Sequence, residues 1–175
     1  KRQSGFLQPR LNDSNILGTS FIMPYFHVIS DNRDITLRPT IFDSNIYMLQ
    51  NEYRQENKNS SLIADLGLTK GYKSSSQGNK KNSIGHIFAK FDLNLNLDNF
   101  IKSNMGFSFE KVTNDTYLKI FDTNLVDIDK DLKPSNPNSL VSNLKFDFQH
   151  NDFNLDTGMI AYEKLNGSNN DRFQY

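Results

Sequence analysis

Polar and apolar residues change places at every second position along much of this chain, and that period decides what it can fold into. Phe91, Leu93, Leu95 and Leu97 alternate with Lys90, Asp92, Asn94, Asn96 and Asp98. The same period runs through Ile35, Leu37, Pro39 and Ile41, through Met105, Phe107 and Phe109, through Leu144, Phe146 and Phe148, and through Phe153, Leu155, Thr157 and Met159. Successive side chains of a β-strand point to opposite faces, so each run presents one apolar and one polar face. An amphipathic helix needs apolar spacings of three and four, which these runs lack. No apolar stretch reaches the roughly 18 residues of a transmembrane helix. A transmembrane strand needs only about ten alternating residues and stays open.

Turn-forming residues divide the runs. Strands are expected near 4–12, 15–28, 34–43, 46–56, 60–68, 84–96, 100–112, 139–150 and 152–164. The short links between them hold the Asn, Asp and Ser that turns prefer. Two links are long, 69–83 and 113–138. In the second, Asn114 and Asp115 precede Tyr117-Leu118-Lys119-Ile120-Phe121, which predicts one or two helical turns closed off by Pro134 and Pro137. In an up-and-down meander the two long links fall at one end and the tight links 29–33, 57–59, 97–99 and 150–152 at the other. Outer-membrane barrels have this asymmetry. The expected fold is all-β: an antiparallel up-and-down meander of about nine strands.

Period alone does not say which face is covered, because a soluble sheet buries its apolar face and a lipid barrel turns it outward. The runs reach about ten residues, against five or six for ordinary soluble strands, and no helices intervene to cover them. Only 36% of the residues are hydrophobic, too few for a dry interior as well. The expectation is an open section of a large barrel, with residues 1–175 forming its first strands as a fragment of a longer protein. Twenty basic residues balance 20 acidic ones, which argues against a nucleic-acid partner. There is no cysteine, and His27, His86 and His150 lie far apart, so no thiolate or His-rich metal centre is expected. No cofactor is expected either.

Five elements then appear in order. The opening Lys1-Arg2-Gln3-Ser4-Gly5-Phe6-Leu7-Gln8-Pro9 is followed by Met23-Pro24-Tyr25-Phe26, Asp34-Ile35-Thr36-Leu37-Arg38-Pro39 and Asn51-Glu52-Tyr53-Arg54. Last comes Lys111-Val112-Thr113-Asn114-Asp115-Thr116-Tyr117-Leu118 with Phe121-Asp122. This ordered set, over residues 1 to about 125, resembles the start of the barrel in the lipopolysaccharide-assembly (LptD, organic-solvent-tolerance) family. Gln3 and His27 depart from the family's usual residues. The stretch after Asp122 matches only in its barrel-like pattern.

The resemblance implies a non-enzymatic translocon in the outer membrane of a Gram-negative bacterium. Lipopolysaccharide would arrive from a periplasmic bridge through a domain absent here. It would leave sideways through a seam between first and last strands, in a barrel plugged by an LptE-like lipoprotein and surrounded by outer-membrane lipids. Pro9 and Pro24, with Gly5 and Phe6 beside them, are then lateral-gate candidates. Proline has no backbone N–H and removes a ladder bond; taken alone, each simply ends a strand. Glu52, Arg54, Lys90, Asp92, Glu110 and Asp147, together with Asp98 and Lys145, are the candidates for lining a wet lumen or touching the plug.

Two other readings compete: a general porin, which lacks the ordered elements, and a soluble all-β binding module. Asp156-Thr157-Gly158 matches the aspartic-protease triplet, but that chemistry needs two carboxylates and only one copy occurs. Asn114-Asp115-Thr116 and Asn166-Gly167-Ser168 are sequons by pattern. Lys70, Lys73, Lys80 and Lys81 form a basic stretch, read as a solvated loop in preference to a phosphate contact.

Overall fold

The computed structural model describes residues 2–73, 81–166 and 173–174. Its strands are β1 (Gly5–Phe6), β2 (Arg10–Ser14), β3 (Gly18–Ile22), β4 (Tyr25–Ser30), β5 (Arg33–Phe42), β6 (Tyr47–Glu56) and β7 (Ser60–Lys73). After these come β8 (Lys81–Asn94), β9 (Lys102–Val112), β10 (Ser139–Gln149), β11 (Asn154–Lys164) and β12 (Phe173–Gln174). All join one 12-stranded sheet, every pair antiparallel, and among the described residues its two edges do not pair with each other. The chain is therefore an open all-β meander.

The first two expected strands, 4–12 and 15–28, are each broken in two. The breaks fall at Leu7–Pro9 and at Met23–Pro24. Phe6 pairs with Tyr25 and Arg10 with Ile22, so four steps along one strand match three along the other. The extra residue is a bulge. It has a use: Phe6 and Leu11 are five positions apart and would face opposite ways in an unbroken strand. With the bulge, both stand 73% exposed on the same face. The predicted long link 69–83 is also corrected. β7 runs on to Lys73 and β8 starts at Lys81, with a register shift between Thr69 and Tyr72. Gly71, with φ +96°, supplies the backbone that this bulge requires, and a Cβ there would lie 2.6 Å from the Asn45 carbonyl oxygen. A glycine that reads as a turn in sequence is here a strand irregularity. Of the basic stretch, Lys70 is exposed at the end of β7, whereas Lys80 and the side chains of Lys73 and Lys81 lie outside the described residues.

Register assembles the apolar residues into rows on one face. Leu11, Phe21, Ile41 and Tyr47 stand side by side across β2, β3, β5 and β6. Pro39, Leu49 and Leu68 form a second row. Leu62, Phe91, Phe107, Leu144 and Met159 form a third, across β7 to β11. Among the described residues no second layer packs on them: Leu68 is 67% exposed and Met159 71%.

The opposite, charged face does carry a second layer. Residues 113–138 leave β9 and lie back over it. α1 (Tyr117–Ile120) and a 3₁₀ turn (Asp122–Asn124) occupy the predicted helical stretch. Asn114 is not a helix cap: its Oδ1 accepts from the backbone N–H of Thr116 at 2.9 Å in an Asx turn. Tyr117, Leu118, Ile120, Phe121, Leu125, Ile128 and Leu132 are buried against Phe42, Met48, Ile84, Phe88, Val112 and Leu140. This cluster is the core of the molecule. The expectation of a uniformly polar second face is thus corrected at the end where β9 joins this segment. Connections 43–46 and 113–138 lie at that end. Links 31–32, 57–59, 95–101 and 150–153 lie at the other.

Candidate functional site

Beyond the covering segment, the charged face is organised in rows set by the ladder. Gln50, Gly67, His86 and Val112 form one row. Thr36, Glu52, Asp65, Phe88 and Glu110 form the next. Asp34, Arg54, Ile63, Lys90 and Ser108 form the third.

Pairing sets the carboxylates of Glu52 and Asp65 directly opposite each other, which is repulsive unless a cation intervenes. Arg38 provides it. Its Nη2 donates to Glu52 Oε2 at 3.0 Å and its Nη1 lies 3.5 Å from Asp65 Oδ2. Asp65 is fully buried and also accepts two bonds from Gln50 Nε2, at 3.1 and 3.2 Å. Asp34, only 1% exposed, sits between two guanidiniums. Arg54 Nε donates to it at 2.8 Å and Arg2 Nη1 at 2.6 Å. A buried carboxylate without such partners would be severely penalised, so these contacts explain why acids are tolerated here.

The network ends on the cover. His86 Nε2 lies 2.6 Å from Asp65 Oδ1 and its Nδ1 lies 2.8 Å from the Tyr117 hydroxyl. A carboxylate only accepts, so Nε2 carries the hydrogen. Burial raises the Tyr117 hydroxyl above the ordinary phenol range, which keeps it protonated and able to donate to Nδ1. His86 therefore links a wall carboxylate to the covering helix.

Two open clefts flank this network toward the short-turn end. One, of about 560 Å³, is lined by Arg2, Asp34, Arg54, Lys90, Asp92 and Asp131. The other, of about 440 Å³, is lined in part by Glu56, Lys58, Asp92, Asn104, Lys145 and Asp147. Glu52, Arg54, Lys90, Asp92, Glu110, Lys145 and Asp147 all lie on this charged face. Glu52 is buried beneath Arg38, and Glu110 accepts from the Val141 backbone N–H at 2.8 Å. Asp98 falls in the turn between β8 and β9, apart from them. Asp156 stands opposite Asp147 in the β10–β11 ladder, and Ser168 of the second sequon lies outside the described residues. Among the described residues, no group of three His, Cys, Asp or Glu is placed to hold a metal, and no helix is long and apolar enough to cross a membrane.

Gly5 and Phe6 lie in β1, opposite Phe26 and Tyr25, and the Phe6 and Tyr25 rings meet edge-on at 5.1 Å. Pro9 is exposed in the bulge, whereas Pro24 is buried at the break between β3 and β4. The Leu7 N–H donates to the Pro24 carbonyl at 2.9 Å, and the Met23 N–H to the Pro39 carbonyl at 3.3 Å. Neither bond has a reciprocal partner, because the proline across the ladder has no N–H. Sequence reasoning missed Asp34, Arg38, Asp65 and His86 as a connected set. It also missed Phe42, Met48 and Phe88, apolar residues on the charged phase, which were the one available sign that part of this face is covered.

No protein-family model matches the chain. A stretch of 54 residues is 41% identical to the LPS-assembly protein LptD of Cupriavidus pinatubonensis (strain JMP 134 / LMG 1197). That stretch is 31% of this chain and spans 7% of the length of that relative. Over about a third of its length, the chain is similar to an LPS-assembly protein.

Proposed function

We propose that this chain is part of the wall of an outer-membrane barrel that delivers lipopolysaccharide to the outer leaflet. The bare apolar rows face acyl chains and the charged face looks into an aqueous interior. The barrel performs no covalent chemistry. Lipopolysaccharide passes from a periplasmic bridge, by way of a domain outside this chain, and leaves through a lateral gate whose first side includes Gly5, Phe6, Pro9 and Pro24. An LptE-like lipoprotein fills part of the interior, where the clefts beside Arg54, Lys90, Asp92 and Asp147 offer it polar contacts.

One observation carries this reading: among the described residues the second layer of the fold lies on the charged face, and the apolar rows have none. A soluble sandwich has the reverse arrangement, and contiguous apolar surface of this kind is rare on a soluble monomer. In a bilayer it is what the solvent requires. The partial similarity to an LPS-assembly protein supports lipopolysaccharide as the cargo.

The test is depletion of the full-length protein in its own host. Surface lipopolysaccharide should fall and large antibiotics should enter. Unchanged surface lipopolysaccharide, with open-channel conductance from the purified protein in planar bilayers, would replace this reading with a general porin. A chain that stays monodisperse in buffer without detergent would replace both with a soluble binding module.

A further inference from the structure

The covering segment reaches as far as the first hairpin and is fastened there. Arg10 of β2 grips Asp127 with both guanidinium nitrogens, Nη1 at 2.6 Å from Oδ1 and Nη2 on Oδ2. Asn12 Nδ2 donates to the Thr123 carbonyl at 3.1 Å, and Asn124 Nδ2 donates to Ser20 Oγ of β3 at 3.3 Å. These contacts join residues more than 100 positions apart in sequence. On its return the segment is pinned again, by Lys90 to Asp131 at 3.4 Å.

The part of the hairpin so fastened, β2 with β3, is thinly held by the sheet, whereas β4 beside it meets β5 through five residue pairs. β1 meets β4 through two residue pairs and β3 meets β5 through three. The pairs beside these, Leu7 with Pro24 and Met23 with Pro39, each make half their bonds. A bidentate guanidinium–carboxylate pair fixes both distance and angle, so it transmits a displacement from one partner to the other. Arg10 and Asp127 are also partly exposed, so water can replace each partner when they part.

We propose that Arg10–Asp127 is an interlock between the cover and the first hairpin. The hairpin does not swing out from β5 until this pair separates, and the cover does not lift from the charged face without loosening the hairpin. This rests on the reading of the first hairpin as one side of a gate. Coupling of this kind is reciprocal: whatever favours the lifted cover favours the open hairpin by the same factor. Cargo or plug protein pressing on the cover from inside would thereby unlock the wall at one place only.

The test uses the full-length protein in the outer membrane. Arg10→Glu and Asp127→Arg alone should each raise entry of a large antibiotic about tenfold, and the two together should reverse most of that rise. Within this chain, which has no cysteine, Ser20→Cys with Asn124→Cys offers a covalent lock, read against each cysteine variant alone. Oxidation should join the two and halt lipopolysaccharide delivery, and reductant should restore it. Failure of the cysteines to join, delivery that continues through the joined form, or a charge swap that rescues nothing would each overturn the interlock. Depletion separates this from the parent reading. If loss of the protein removes surface lipopolysaccharide while the locked form still delivers it, only the interlock fails. If loss leaves surface lipopolysaccharide intact, the delivery reading itself fails.

Discussion

Tyr117 on the cover and His86 on β8 share a 2.8 Å hydrogen bond in which the phenol is the donor, with Asp65 fixing the far side of the imidazole. The bond therefore depends on Tyr117 keeping its proton. In the free chain a tyrosine releases it near its ordinary value of 10.0, and burial raises that value in the folded protein. A raised folded value gives stability that is complete below pH 10 and drains away as pH climbs beyond it. The cover should hold at neutral pH and loosen above about pH 10, followed by hydrogen exchange over residues 113–138. Tyr117→Phe should flatten that alkaline dependence. It should also cost about 1–3 kcal/mol at neutral pH, because Nδ1 is left buried without a donor.

Gly67 makes room for this pair. A Cβ there would stand 2.3 Å from His86 Cε1, 2.4 Å from Nδ1 and 2.9 Å from the Tyr117 hydroxyl. The imidazole is held on both sides and stacked on Phe88, with ring centroids 4.4 Å apart, so it has nowhere to retreat. Gly67→Ala should therefore destabilise by about 1–3 kcal/mol, as overpacking does. Gly106→Ala meets only Asp92 Oδ1, at 3.3 Å, and should be mild by comparison. Paired thermal melts in detergent compare them; equal shifts would mean that the His86 site is not tightly packed.

A charge placed on the bare rows distinguishes lipid from water. Leu66 lies on that face beside Ile87, whereas Ser61 lies on the charged face opposite Asp92. If acyl chains surround the rows, Leu66→Arg should cost about 2–4 kcal/mol when the protein folds into bilayers. Ser61→Arg, beside a carboxylate and water, should cost little. Folding yields into lipid vesicles give the comparison, and equal yields would mean that the bare rows do not face acyl chains.

The orientation of the sheet could be read in part from sequence. Phe91 and Leu93 alternate with Lys90, Asp92 and Asn94, and they do lie on the face that carries no second layer among the described residues. What sequence did not reveal is the cover. Tyr117 and Phe121 read as a helical turn in a loop, but their targets are Phe42, Met48 and Phe88, spread over three strands and matched only once the register is known. The same holds for Arg38 between Glu52 and Asp65: alternation assigns all three to one face, while only the pairing shows that the two acids collide. The prolines were legible as points of weak pairing. The bulge that accompanies Pro9 was not, because it depends on the partner strand advancing one residue less.

The prolines give the sharpest test of that weakness. At Pro24 the ladder is missing one donor facing Leu7, so Pro24→Ala supplies an N–H that can complete the pair with about 0.5–1.5 kcal/mol of net stabilisation. Pro9 stands in the bulge, and Pro9→Ala frees the backbone there to narrow the gap between β1 and β2. Both changes tighten the first hairpin without touching the charged face. Carried in the full-length protein, the pair should slow the appearance of newly made lipopolysaccharide at the cell surface, with the single Pro24→Ala variant falling between the pair and the parent. It should also bring the Gly5–Leu7 amides into slower hydrogen exchange. Slower exchange with normal delivery would mean that the hairpin stiffened as expected and that its looseness is not what lets the cargo out.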